Sequence, residues 1–387
     1  MFADEASGFS KTSFVYFAVI FCISLSMAFF IPVSSLFLSA ELQVTGFETG
    51  LFFTVGGILS IAVSQLVARY SDIAGNRRNI ILFGCVCGFA ASLCFAFIRS
   101  YLLLLTAGNL LNSFSHVSGQ VFASGREYCR FKGKNPVIFT SVMRAFFALA
   151  WVFGPPAAML VLEYSSFETV YLICGSVLLT AFVAVKFMMP ATDFSRDRRD
   201  AVKARIFSEP SVFILFAVTV LIFACNNMYL ITMPQYVTRD LHFEPRHAGF
   251  FMATAAALEI PCMLISGRLA QKIHMKYILI VATASGFLYY IAVSLVSTLF
   301  EFWCAQLANA VFIGIVTSLM MVYFQEMLPK IPGQATTLFS SAASVGGIIS
   351  GAVCGLISDA YGFVTVFYFA VCLSFTAFLL MCFVRKI

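Results

Sequence analysis

Apolar residues run in blocks of about 20 along the whole chain, the length a helix needs to cross a hydrocarbon core roughly 30 Å thick. The blocks predict spans over 14–39, 47–70, 78–98, 101–125, 136–162 and 167–189. After a polar interval come 210–237, 246–272, 277–298, 301–328, 333–360 and 363–384. The interval from Pro190 to Glu209 is the longest polar stretch and is strongly basic. The pattern therefore predicts an all-α membrane protein of twelve spans: a six-helix bundle over 1–190, a basic linker over 191–209 and a second six-helix bundle over 210–387. The first block, Phe14 to Leu38, exceeds the roughly 7–15 apolar residues of a signal peptide and is read as the first span.

Composition agrees. Hydrophobic residues make up 61% of the chain and charged residues only 11%, against roughly 25% charged in a soluble domain whose surface must be hydrated. Lipid is the solvent that such a surface, with 45 Phe in the chain, requires. The net charge of +6 comes from short basic clusters between spans, with no aromatic-interleaved stripe, so nucleic acid is not an expected partner. Most of the twelve Cys lie within apolar spans as small hydrophobes. Cys85-Val86-Cys87 has no second pair and no nearby His, which favours packing over metal binding. His116, His242, His247 and His274 are dispersed, and no nucleotide-binding loop occurs, so neither a membrane enzyme nor ATP-driven transport is indicated and no cofactor is expected.

Lys and Arg fix the orientation, because they remain preferentially on the cytoplasmic side. With the N-terminus inside, twenty of the 24 fall in inner segments and only Arg99, Arg239 and Arg246 in outer ones, Arg144 lying within a span. Both termini are then cytoplasmic.

The halves also resemble each other. Gly50-Leu51-Phe52 corresponds to Gly249-Phe250-Phe251, Ala68-Arg69 to Gly267-Arg268 and Arg77 to Lys276, all at an offset of 199 residues. Near the sixth and twelfth spans Phe167-Glu168-Thr169-Val170-Tyr171 corresponds to Phe363-Val364-Thr365-Val366-Phe367 at an offset of 196. Two parallel six-helix repeats joined by a basic loop describe the major facilitator architecture, in which the halves rock about a solute site near the membrane midplane.

Ionisable groups in the spans need a reason to be there. Glu259 lies midway along the eighth span with no cation near it in sequence. Desolvation favours the uncharged carboxyl, which suits a proton carrier, a partner for a solute hydroxyl, or a structural acid bonded across a helix interface. Arg144 lies about two turns into the fifth span and Glu127 at the cytoplasmic end of the fourth. If these two approach, they form either a switchable pair or a static one that stops the helices slipping. Asn112, Gln120, Asn226, Asn227, Asn309 and Gln325 supply amides, and Trp151 and Tyr229 flat aromatic faces. Each amide suits a helix–helix bond as well as a ligand, but the set fits a neutral polyhydroxylated solute better than an ion. Pro32, Gly154-Pro155-Pro156 and Pro261 interrupt the first, fifth and eighth spans, as kinks for a rocking helix or as static bends.

The loop Arg69-Tyr70-Ser71-Asp72-Ile73-Ala74-Gly75-Asn76-Arg77-Arg78 resembles the major facilitator pattern Gly-x-x-x-Asp-x-x-Gly-x-(Arg/Lys)-(Arg/Lys), with Ala68 in place of its first Gly. Asp72, Gly75, Arg77 and Arg78 are thereby implied as a cytoplasmic latch. The second half has Gln271 at the Asp position, which weakens its counterpart. A closer resemblance covers nearly the whole chain. Ser141-Val142-Met143-Arg144-Ala145, Cys225-Asn226-Asn227-Met228-Tyr229, Leu258-Glu259-Ile260-Pro261 and Phe324-Gln325-Glu326-Met327-Leu328-Pro329 look like the bacterial sugar efflux transporters. The chain departs from them at Tyr323, where relatives have Trp, and at Glu326, where Asp is common. The resemblance implies a monomer in the bacterial inner membrane that exports small neutral sugars in exchange for protons, with Glu127, Arg144, Asn226, Asn227, Glu259 and Gln325 in the cavity. An exporter of drugs or amphipathic solutes on the same fold is the nearest alternative.

Overall fold

A computed structural model describes residues 10–74, 77–133, 136–190, 210–329 and 332–385. The described residues form helices joined by short connections, with no strands among them. Eleven helices are each long and apolar enough to cross a bilayer. In the first half they are α1 (Lys11–Ala40), α2 (Gly46–Ala74), α3 (Arg77–Phe97), α5 (Pro136–Tyr164) and α6 (Phe167–Met188). In the second half they are α7 (Pro210–Gln235), α8 (Pro245–Leu269), α9 (Met275–Leu295), α10 (Leu299–Met327), α11 (Pro332–Tyr361) and α12 (Phe363–Phe383). The twelfth crossing, α4, is in two pieces: α4a over 101–115, with a π turn at Leu104–Gly108, and α4b, Ser118–Phe131.

That break corrects the sequence expectation of one continuous span. His116 leaves the helical region at φ −75°, ψ 53°. The residues before it are serines whose hydroxyls turn back on the helix: Ser113 donates to Asn109 O at 2.8 Å and Ser115 to Asn112 O at 2.6 Å. Such back-bonding competes with the helical ladder and bends it. Conversely, Pro155 and Pro156 do not interrupt α5, which runs through both. Pro32 and Pro261 likewise lie inside unbroken helices.

Helix ends follow local chemistry. Thr298 and Glu301 form a reciprocal capping box at the start of α10, the carboxylate accepting from Ser297 N and Thr298 N at 2.9 and 3.1 Å. Ser166 accepts from Thr169 N to cap α6. Gly362, at φ 83°, supplies the left-handed residue that turns α11 into α12.

The chain divides into two compact units. One comprises Met1–Phe37 and Ile58–Arg198, the other Leu38–Gly57 and Arg199–Ile387. Within the first, α3 packs on α6 and α4a, and α4b on α5. Within the second, α7 packs on α11 and α12, α9 on α10 and α12, and α8 on α10. The start of α2 also belongs to the second unit, where Gly50 meets Gly351 and Gly355 of α11 so closely that a Cβ at position 50 would lie 2.4 Å from Gly351 O.

The duplication read from sequence has a backbone counterpart. Gln43 and His242 are the two described non-glycine residues with positive φ, at 53° and 55°. They are 199 positions apart, as are the bonds around them: Val44 N donates to Leu38 O at 3.2 Å and Phe243 N to Val237 O at 2.9 Å. Each corner delivers the chain into a helix beginning three residues later, at Gly46 and Pro245.

Candidate functional site

In the first unit, charge and amide groups collect where α3 meets α4b. Arg77, at the first position of α3, donates through Nε to both carboxylate oxygens of Glu127 at 3.0 and 3.1 Å, and through Nη1 to Gln120 Oε1 at 2.7 Å. The guanidinium thus bridges two residues seven apart on α4b, a charge-assisted clamp across the helix pair. Arg78 turns the other way and donates to the carbonyls of Val185, at 3.2 Å, and Lys186 at the end of α6.

Glu127 is therefore paired with Arg77 and not with Arg144. Arg144 is exposed and forms no ion pair among the described residues. Of the predicted latch, Arg77 and Arg78 face these partners, while the Asp72 side chain and Gly75 lie outside the described residues. Trp151 is half-buried on α5.

At the α4 break, His116 Nδ1 lies 3.2 Å from Ser60 Oγ of α2, which is 3.3 Å from Ser113 Oγ. Beside them a small cavity is lined by Ser26, Asn112, Ser115 and His116 together with apolar groups of α1 and Leu178. Neither Ser60 nor His116 was singled out from sequence. The serine run around the break was the available signal.

In the second unit Glu259 sits fourteen residues into α8, half-buried, with neither an ion pair nor a side-chain hydrogen bond among the described residues. Gly314 of α10 lets the two backbones approach: a Cβ there would lie 2.9 Å from Glu259 O. Tyr229 of α7 is within electrostatic range of this carboxyl. On the same helix Asn226 is half-buried, while Asn227 donates to Phe223 O at 2.8 Å. Gln325, near the end of α10, donates to Thr336 Oγ1 of α11 at 2.8 Å, so it joins two helices. Tyr323, one of the departures from the sequence pattern, is fully buried and donates to Arg385 O at 2.7 Å.

Polar side chains are thus placed inside two helical bundles otherwise suited to lipid, and no group of three or more His, Cys, Asp or Glu that could hold a metal occurs among the described residues. The arrangement defines a membrane carrier, and the comparisons agree. The family model of the Major Facilitator Superfamily matches residues 16–350 and 215–387, and the chain belongs to that superfamily. It is also 36% identical over 362 residues to sugar efflux transporter A of Dickeya chrysanthemi, covering 93% of this chain and 92% of that one. Sugar efflux transporter A of Escherichia coli K12 is 36% identical over 377 residues, 96% of each chain, and sugar efflux transporter C of the same organism is 32% identical over 394. Within the superfamily, the chain is a member of the sugar efflux transporter family.

Solved structures carry the same fold. The nucleoside transporter NupG superposes with a TM-score of 0.80 at 14% identity, covering 97% of this chain and 100% of that one. A bacterial homologue of the lysosomal transporter Spinster superposes with a TM-score of 0.82 at 11% identity, covering 97% of each chain.

Proposed function

We propose that this protein exports small neutral sugars or glycosides, of the size of glucose or lactose, in exchange for protons. It does so as a monomer in the bacterial inner membrane, with both termini in the cytoplasm. The observation that carries the reading is the relationship to named sugar efflux transporters along nearly the whole chain. The skew of Lys and Arg supports the orientation.

Glu259 is assigned the proton. It is a carboxyl within a membrane span with no cation paired to it among the described residues, so gaining or losing a proton disturbs no ion pair. Asn226, Asn227, Gln325, Gln120, Trp151 and Tyr229 are assigned to the solute, as amides that match hydroxyls both as donors and as acceptors and aromatic faces that stack on sugar rings. Glu127, held by Arg77, and Arg144, which has no ion pair among the described residues, are assigned to switching, and Asp72, Gly75, Arg77 and Arg78 to the cytoplasmic latch.

The test is uptake of radiolabelled lactose and glucose into inverted membrane vesicles, with and without an imposed pH gradient. Accumulation driven by an acid interior and abolished by an uncoupler is expected. No sugar movement by correctly inserted protein would overturn the reading and leave export of amphipathic solutes as the one to pursue.

A further inference from the structure

A second polar cluster lies wholly inside the second unit, on α7, α9 and α10. Tyr229, Tyr289, Tyr290, Gln306 and Asn309 are all 3% exposed or less. Gln306 Oε1 accepts from Tyr229 Oη at 3.5 Å and from Asn309 Nδ2 at 3.2 Å. The rings of Tyr229 and Tyr289 meet edge-on at 5.8 Å and those of Tyr289 and Tyr290 at 4.9 Å.

Four polar atoms of this cluster have no hydrogen-bond partner among the described residues: Tyr289 Oη, Tyr290 Oη, Gln306 Nε2 and Asn309 Oδ1. Gln306 and Tyr229 both come within bonding range of the Tyr289 hydroxyl, but neither contact has the geometry of a regular hydrogen bond. Buried polar groups in folded proteins almost always have a partner, because a group stripped of water and left unbonded is costly. One such atom is an imperfection; four within one group of touching side chains define a site.

We propose that Tyr289, Tyr290, Gln306 and Asn309 enclose a site for bound water inside the C-terminal unit. The chemistry selects the ligand. The unpartnered atoms include a pure donor, Gln306 Nε2, a pure acceptor, Asn309 Oδ1, and two hydroxyls that serve as either. Water, with two donors and two acceptors, satisfies such a mixed set, and buried waters make about three bonds each. A cation is disfavoured, since no charged group belongs to the cluster. The near-complete burial of Tyr289, Tyr290, Gln306 and Asn309 leaves no room among these four for a sugar ring. Tyr229 borders the site, its hydroxyl donating to Gln306 Oε1 within the cluster.

Two measurements on the full-length protein decide the matter, and neither involves transport, so they stand apart from the sugar-export reading. If water fills the site, Tyr289→Phe and Tyr290→Phe each remove one of its partners and lower the apparent melting temperature in detergent, by roughly 2 °C or more. If the site is dry, the same changes delete an unsatisfied hydroxyl and raise the midpoint. A rise or no change overturns the proposal. Radiolytic labelling by X-rays, which oxidises side chains beside bound water, provides the second arm on the unaltered protein. Tyr289 and Tyr290 are expected to be hydroxylated several-fold faster than Tyr323, which is equally buried but bonded to Arg385 O. Equal rates overturn the proposal.

Discussion

Gly50 offers the sharpest perturbation of the carrier's conformational equilibrium. A methyl group at this position lies 2.4 Å from Gly351 O, 2.5 Å from Gly355 Cα and 2.7 Å from Gly355 N. All three are backbone atoms, so no rotamer change relieves the contact. Restoring the lower edge of ordinary van der Waals contact at 3.4 Å requires α2 and α11 to separate locally by about 1 Å. The same movement pulls Gly46 N away from Asp359 Oδ1, which accepts from it at 3.3 Å. Overpacking of this kind costs about 1–3 kcal/mol. If alternation between states loosens this contact, the cost falls on one side of the equilibrium only. Gly50→Ala is then expected to shift that equilibrium by roughly 5- to 150-fold toward the state in which α2 and α11 are apart. The assay is the alkylation rate of Ser358→Cys, whose side chain sits against Gly46, in a background with the exposed Cys304, Cys372 and Cys382 replaced by Ser. An increase within that range is the expected result. An unchanged rate in folded protein would refute the view that this contact holds the observed state.

Glu259→Gln is expected to leave insertion and folding intact while removing the dependence of sugar export on an imposed pH gradient; export that still follows the gradient assigns the proton elsewhere. Glu127→Gln weakens the bidentate clamp on Arg77, and a charged hydrogen bond of this kind contributes about 1.5–3 kcal/mol. The melting temperature in detergent should fall, and the loss should be much smaller in an Arg77→Ala background, whereas additive losses would show that the two residues are not coupled. Thr298→Ala removes one half of the capping box on α10 and should destabilise by about 0.5–2 kcal/mol, read as a lower midpoint, with Thr298→Ser restoring it.

The helices were legible in the sequence because crossing a bilayer imposes both length and apolarity, and because basic residues mark one side. What escaped was set by tertiary contact. No Pro or Gly marks the break at His116, and the serines that bend α4 read equally well as small residues within a span. The proline pair in α5 misled in the other direction, because a proline lacks one N–H but leaves the rest of the ladder to hold the helix. Glu127 has several basic residues within possible reach, and sequence cannot tell which helix will present one; the structure presents Arg77. Tyr229 and Asn309 were singled out, but Tyr289, Tyr290 and Gln306 were not. Gln306 and Asn309 stand three apart and so share one helix face, a signal that spacing alone offered.

The corners at Gln43 and His242 bear on how this chain is made. Residues 41–45 join α1 to α2, and 241–244 join α8 to the π turn Tyr236–Asp240 that extends α7; either connection reaches less than roughly 20 Å even when fully extended. The hydrocarbon core is about 30 Å thick, so neither corner can straddle it at any moment of synthesis. The ends of α1 and α2 at the first corner must therefore share a leaflet throughout, and so must those of α7 and α8 at the second. Insertion at these places is coupled: the direction in which α1 crosses sets the side from which α2 starts, and a single helix of either pair cannot invert alone.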